Sequence, residues 1–235
     1  MRTLLAGLAS VCLALALSSC QSVLADPLTA GDGIAPTSLT LVLQATDNAA
    51  KPYVEATVED DVQRTLTTGG QVAIISAEGR PVVVASGVRV DARAEKSDAD
   101  ILEEAITLRN GVMETIAAIT PTSPGLDMVR TLELAASTVA GAHPVIVVVA
   151  PGLSDTGTYN LTKEGMSQSQ PAQLVAQHAD NQVPKFAGAV VRWWWLGQGR
   201  GDQQPLSQEQ MAAIGGYYEA LSTRGGGSLA LEGGV

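Results

Sequence analysis

His143 and His178 are the only histidines in the chain, so a metal site built from several imidazoles is impossible. His143 stands at the amino end of an apolar run, and His178 sits near the end of a short helix, where a cation is mildly favoured. Both read as structural. A serine nucleophile would have to be Ser154 or Ser207 beside one of them, yet the chain has no Gly-x-Ser-x-Gly elbow to present it. Gly197, Gly199 and Gly201 follow a strand, but their spacing is not Gly-x-Gly-x-x-Gly and no suitably placed acid follows. No catalytic constellation emerges. The expectation is a non-enzymatic protein that uses no cofactor.

The elements that place these residues are organised around Pro144-Val145-Ile146-Val147-Val148-Val149-Ala150. A short, Val-dominated run bracketed by prolines and lacking polar alternation fits a strand covered on both faces better than a buried helix. In an open α/β sheet the ligand crevice lies at the carboxyl ends of the strands. The loop opening with Pro151-Gly152-Leu153-Ser154-Asp155 therefore belongs to the face where binding or chemistry occurs.

The remaining pattern predicts a first strand over Ser38 to Ala45 and a helix over Pro52 to Thr67. Gln71 to Ala77 and Val82 to Val90 read as two strands joined by a turn too short for a crossover, hence an antiparallel edge hairpin. Ser97 with Asp100 has cap spacing for a helix facing inward through Ile101, Ala105, Leu108, Val112, Ile116 and Ile119. Ser123-Pro124 reads as the start of a further helix reaching Ala140. Pro171 to Asp180 is a short helix, Phe186 to Leu196 a strand, Ser207 to Ser222 a helix and Ser228 to Glu232 a final short strand. Arg192-Trp193-Trp194-Trp195 cannot turn all three rings to one side of a strand. The rings either fill helix–sheet gaps on both faces, or one near the carboxyl end anchors a partner. The triplets Arg200-Gly201-Asp202 and Asn160-Leu161-Thr162 carry no weight as adhesion or glycosylation signals.

At the amino terminus Arg2, the apolar run Leu4 to Leu17 and the box Leu17-Ser18-Ser19-Cys20 resemble a bacterial lipoprotein signal. The resemblance implies cleavage between Ser19 and Cys20, a thioether from Cys20 to diacylglycerol, and residence on the extracytoplasmic face of a cell membrane. The chain then divides into a signal peptide (1–19), a lipidated tether (20–36) and one domain (37–235). Cys12 leaves with the signal, so the domain has no disulfide or thiolate site. Processing leaves thirteen basic against twenty-four acidic residues, a balance that argues against nucleic acid and against adsorption to anionic headgroups.

The order strand, helix, hairpin, helix, helix, strand, helix, strand, helix resembles a von Willebrand factor type A domain, especially the version in actinobacterial envelope proteins. Three phrases carry it: Leu41 to Thr46, Val147 to Gly157, and Leu196-Gly197-Gln198-Gly199 through Gln204-Pro205-Leu206-Ser207. It implies a three-layer, Rossmann-like α/β fold with a mostly parallel sheet and an antiparallel edge hairpin. That family binds a divalent cation through Asp-x-Ser-x-Ser after the first strand, a Thr in a middle loop and Asp-Gly after the fourth strand. Gln44, Thr46 and Asn48 stand at the first positions here, Leu126 at the Thr and Pro151 at the Asp. A hard cation needs oxygen ligands, normally with carboxylates. Asp47, Asp127 and Asp155 are near enough for a rebuilt site but read as turn acids, so no metal is expected. The expected role is a binding or scaffolding lipoprotein whose unidentified protein partner is met by Thr46, Asp47, Asn48, Ser154, Asp155, Thr156, Gln198, Arg200 and Asp202. A solute-binding lipoprotein and a hydrolase with an unrecognised site are the alternatives.

Overall fold

The computed structural model describes residues 37–46, 52–157, 161, 171–198 and 206–232. Residues 1–36, where the signal and the tether with Cys20 are expected, and Asp47, Asn48, Arg200 and Asp202 lie outside them. The strands are β1 (Ser38–Gln44), β2 (Gln71–Ala77), β3 (Val82–Val88), β4 (Pro144–Val149), β5 (Val190–Trp194) and β6 (Ser228–Glu232). They form one sheet in the order β3-β2-β1-β4-β5-β6. Every pair is parallel except β2–β3, the expected edge hairpin.

β1 and β4 lie side by side in unbroken register, Leu39 opposite Val145 and Leu43 opposite Val149. All residues of both strands are buried, which is what uniform apolar runs require of central strands. Alternation sends Leu41, Leu43, Val145, Val147 and Val149 into one core and Val42, Ile146 and Val148 into the other. The first core is closed by α1 (Ala56–Thr67) and α2 (Asp98–Ala117), through Val58, Val62, Leu66, Ile101, Ala105, Val112 and Ile116. The second is closed by α3 (Met128–Thr138), α4 (Pro171–Gln177) and α5 (Gln208–Arg224). The result is a three-layer α/β domain with a mostly parallel sheet.

The tryptophan run divides as the pleat demands. Trp193 enters the α3–α5 core, Trp194 packs on the opposite core, and Trp195 leaves the strand with φ +65° and joins that same core. Arg192 is buried on β5, where it pairs with Asp61 of α1 and, at 2.8 Å, with Glu232 of β6. Asp61 also meets Arg64. A buried ion pair is costly to break from one side, because the remaining charge is stranded; this one fastens α1 to both outer parallel strands.

Four boundaries differ from the sequence pattern by about three residues or more. α1 begins at Ala56 rather than Pro52, because Tyr53 is held against Trp195 and Val54 is buried before the helix starts. Ser123 does not cap a helix. Its N–H and hydroxyl donate to Glu78, Gly125 takes φ +75°, and α3 starts at Met128 with the Asp127 carboxylate accepting from Arg130 N. β5 is shorter than Phe186 to Leu196, since Ala187 and Gly188 turn through positive φ at one end and Trp195 does so at the other. α4 stops at Gln177, and a separate 3₁₀ turn covers Asp180–Gln182. The Ser97–Asp100 and Ser207–Gln210 capping boxes form as the spacing demands.

Candidate functional site

The carboxyl ends of β1, β4 and β5 bring together the loops in which the sequence places its candidates. The loop after β4 is bound to the α2–α3 loop by groups that are otherwise free to face solvent. The N–H groups of Asp155 and Thr156 both donate to Leu126 O, at 3.1 and 3.3 Å. Leu126 N–H returns a bond to Asp155 Oδ1 at 2.6 Å. The Ser154 hydroxyl donates to Leu126 O at 3.0 Å and accepts from Met128 N at 3.1 Å. Two aromatic side chains pin the same loop from below: Trp193 Nε1 donates to Ala150 O (2.6 Å) and Tyr218 OH to Gly152 O (2.7 Å). Burial pushes the Tyr218 phenol well above its ordinary pKa, and neighbouring Tyr217 and Asp127 push the same way, so it remains a donor. The loop after β5 joins through Gly197 N–H to Pro151 O at 2.8 Å.

Glu78 completes the frame. Its buried carboxylate accepts from the Ser76 hydroxyl and from the main chain and hydroxyls of Thr122 and Ser123. Burial alone raises its pKa, but the hydrogen bonds from Thr122, Ser123 and Ser76 outweigh it and hold the carboxyl below the ordinary value. Asp127 behaves oppositely: burial raises its pKa despite the bond from Arg130 N and the charge of Arg130.

Of the candidate contact residues, Asp155 and Gln198 are exposed and Thr156 is half-buried, while Ser154 and Thr46 are buried. Ser154 thus shapes the loop rather than presenting its hydroxyl. Asp47, Asn48, Arg200 and Asp202 fall outside the described residues. Two contributors were missed in the sequence. Tyr53, 52% exposed, lies parallel to Trp195 with ring centroids 6.1 Å apart, and the stack ties the segment before α1 to the end of β5. Glu78 was read only as part of a turn, although an acid two residues beyond a strand serine is the signal that marks it.

The positions that resemblance makes cation ligands do not fit one here. Gln44 Nε2 donates to Thr46 Oγ1 at 3.0 Å, Leu126 is buried and has no side-chain oxygen, and Pro151 has none either. Among the described residues no three His, Cys, Asp or Glu side chains gather as a metal would need. His178 is buried, with Nε2 2.9 Å from Tyr217 OH, while Ser207 caps α5.

No family model and no curated protein sequence matches the chain. Solved structures do resemble it. BatB of Bacteroides thetaiotaomicron, a conserved hypothetical protein, is 10% identical with TM-score 0.37, over 83% of this chain and 89% of that one. A von Willebrand factor type A structure from Catenulispora acidiphila is 11% identical, TM-score 0.39, over 85% of this chain and 39% of that one. The pilus adhesin SpaC of Lactobacillus rhamnosus GG, in its open conformation, is 8% identical, TM-score 0.42, over 84% of this chain and 28% of that one. The chain thus spans well under half the length of the last two.

Proposed function

We propose that this protein is a lipid-anchored, extracytoplasmic binding module of von Willebrand A type, without enzyme activity or a bound cation, that meets a protein partner through the carboxyl edge of its sheet. The observation that carries the reading is the stitched edge: Ser154, Leu126, Glu78 and Tyr218 consume their polar groups internally. Tyr53 and Gln198 then stand outward from a fixed frame, beside exposed Asp155, one of whose carboxylate oxygens is held by Leu126 N–H. A contact surface held rigid before binding loses less entropy on association, and an exposed aromatic beside polar groups suits a binding anchor. The sequence supports the anchor at Cys20 through its signal-like box.

Photocrosslinking from residue 53 or 198 in intact cells tests the surface, with His143 at the opposite edge as the control. A discrete adduct from the first two and none from His143 is expected; equal labelling from His143 overturns the reading. Radiolabelled palmitate should enter the protein and be lost in Cys20→Ser. Titration with magnesium, manganese or calcium should give no heat of binding, and a submicromolar stoichiometric response would contradict the reading of Gln44 and Pro151.

A further inference from the structure

The flank of the sheet beyond β5 carries a groove that shares only Gln198 with the carboxyl-edge surface. It encloses about 470 Å³ between α5 and the ends of β5 and β6, and Trp193, Leu196, Leu229, Leu231 and Met211 give it an apolar lining. On the helix side the wall is Gly215 and its small neighbours. A Cβ placed on Gly215 would lie 3.6 Å from Leu196 and 3.7 Å from Leu231, in ordinary contact with two side chains that line the groove.

The backbone of β6 supplies a second observation. Ser228 N–H donates to Ala189 O, and the parallel pairing with β5 then directs the main-chain groups of Ser228, Ala230 and Glu232 inward. Those of Leu229 and Leu231 turn to the outside, where no strand lies among the described residues. An edge of this kind is a template for pairing with another extended segment. Leu231 is 50% exposed at that edge. Charge supplies a third. Glu219 lines the groove and no basic residue does, the Glu232 carboxylate being paired with Arg192, on a chain whose formal charge is −10.

We propose that this flank binds an extended peptide segment by strand addition. The segment pairs with the outward main chain of Leu229 and Leu231, lays its alternate apolar side chains along Leu196, Leu229 and Leu231 on the groove face, and carries its lysines or arginines on the other face, in the field of Glu219 and of the chain's net negative charge. Main-chain pairing supplies affinity and the groove supplies the side-chain preference. The site shares Gln198 with the carboxyl-edge surface but uses neither Tyr53 nor Asp155.

Fluorescence anisotropy on the whole purified protein tests it with three short synthetic peptides: alternating Val–Lys, alternating Val–Glu, and Val–Lys interrupted by a central proline. The Val–Lys peptide should bind saturably and the other two should not. Gly215→Leu, which fills the groove, and Leu231→Lys should each weaken binding about tenfold or more. Glu219→Lys should weaken it too, whereas Tyr53→Ala, at the other surface, should leave it unchanged. Equal binding of the proline peptide, equal binding of the Val–Glu peptide, or undiminished affinity in Leu231→Lys each overturns the proposal. Leu231 is exposed, so that variant decides the matter even where Gly215→Leu fails to fold.

Discussion

β3 and β6 each leave one side of their backbone without a neighbouring strand among the described residues, and the chain treats the two edges differently. β3 exposes Val82, Val83 and Val84 at 43%, 36% and 40%, more apolar surface than β6 shows. Yet its pairing with β2 slips twice, between Val72 and Ile74 and between Ile74 and Ile75, and Gly87 sits at φ +67°. Such bulges bend an edge and spoil its register, a recognised way of keeping strands from adding to it. β6 matches β5 through five consecutive partners, Val190 with Ser228 to Trp194 with Glu232, without a slip, and a groove opens beside it. Exposed apolar side chains alone do not make an edge receptive. Continuous register and room for the incoming side chains do.

The largest expected effect comes from the ion network that fixes β6. Arg192→Ala leaves buried Asp61 with Arg64 alone and Glu232 without its partner and should lower unfolding free energy by about 3 kcal/mol in urea titration. Hydrogen exchange should quicken along β6 and α1 before it does in the β2–β3 hairpin. The reverse order would show that Arg192 does not hold this edge. Next is Tyr218→Phe, which leaves Gly152 O without its buried donor and should cost about 1–3 kcal/mol. Tyr218 sits on the helix that walls the groove, so the peptide affinity of this variant separates loss of loop order from loss of the groove.

Acid should act on the opposite side. The Glu78 carboxyl is held below its ordinary value of 4.5, so its contribution is complete above that value and is lost as pH falls through the lower, folded-state value. Protonation then releases Thr122 and Ser123 beside the β2–β3 turn. Below about pH 4.5, stability should fall more steeply in the wild type than in Glu78→Gln, and exchange should rise first at the hairpin and the α2–α3 loop. Parallel acid curves for the two proteins would remove Glu78 from the clasp.

The strand order was readable because β-branched runs, short turns and capping boxes are local signals, and Gln71–Ala77 and Ser228–Glu232 appear with the bounds the pattern implied. Two of the misread boundaries depend on long-range partners. Ser123 resembles a helix cap until Glu78, far along the chain, claims its hydroxyl, and Pro52 opens a helix only where Tyr53 has no Trp195 to meet. The candidate edge was legible as a place, since strand ends define it, but not residue by residue. Nothing local distinguishes buried Ser154, bonded to Leu126, from exposed Asp155 beside it. The groove left no trace in sequence at all, because Gly215, Leu196 and Leu231 meet only in the fold.

The smallest effect is the sharpest test of the two edges. Val83→Lys puts a charge on an exposed position of a bulged strand and should move unfolding free energy by no more than about 0.5 kcal/mol. Leu231→Lys, at a position 50% exposed against 36% for Val83, should be comparably mild in stability. Their effects on the Val–Lys peptide should diverge: none for Val83→Lys, and a clear loss for Leu231→Lys, where a cation replaces the apolar contact at the pairing edge and adds to the peptide's own positive charge. A matched loss from both would mean that the peptide answers to net charge alone and that register continuity does not set β6 apart from β3.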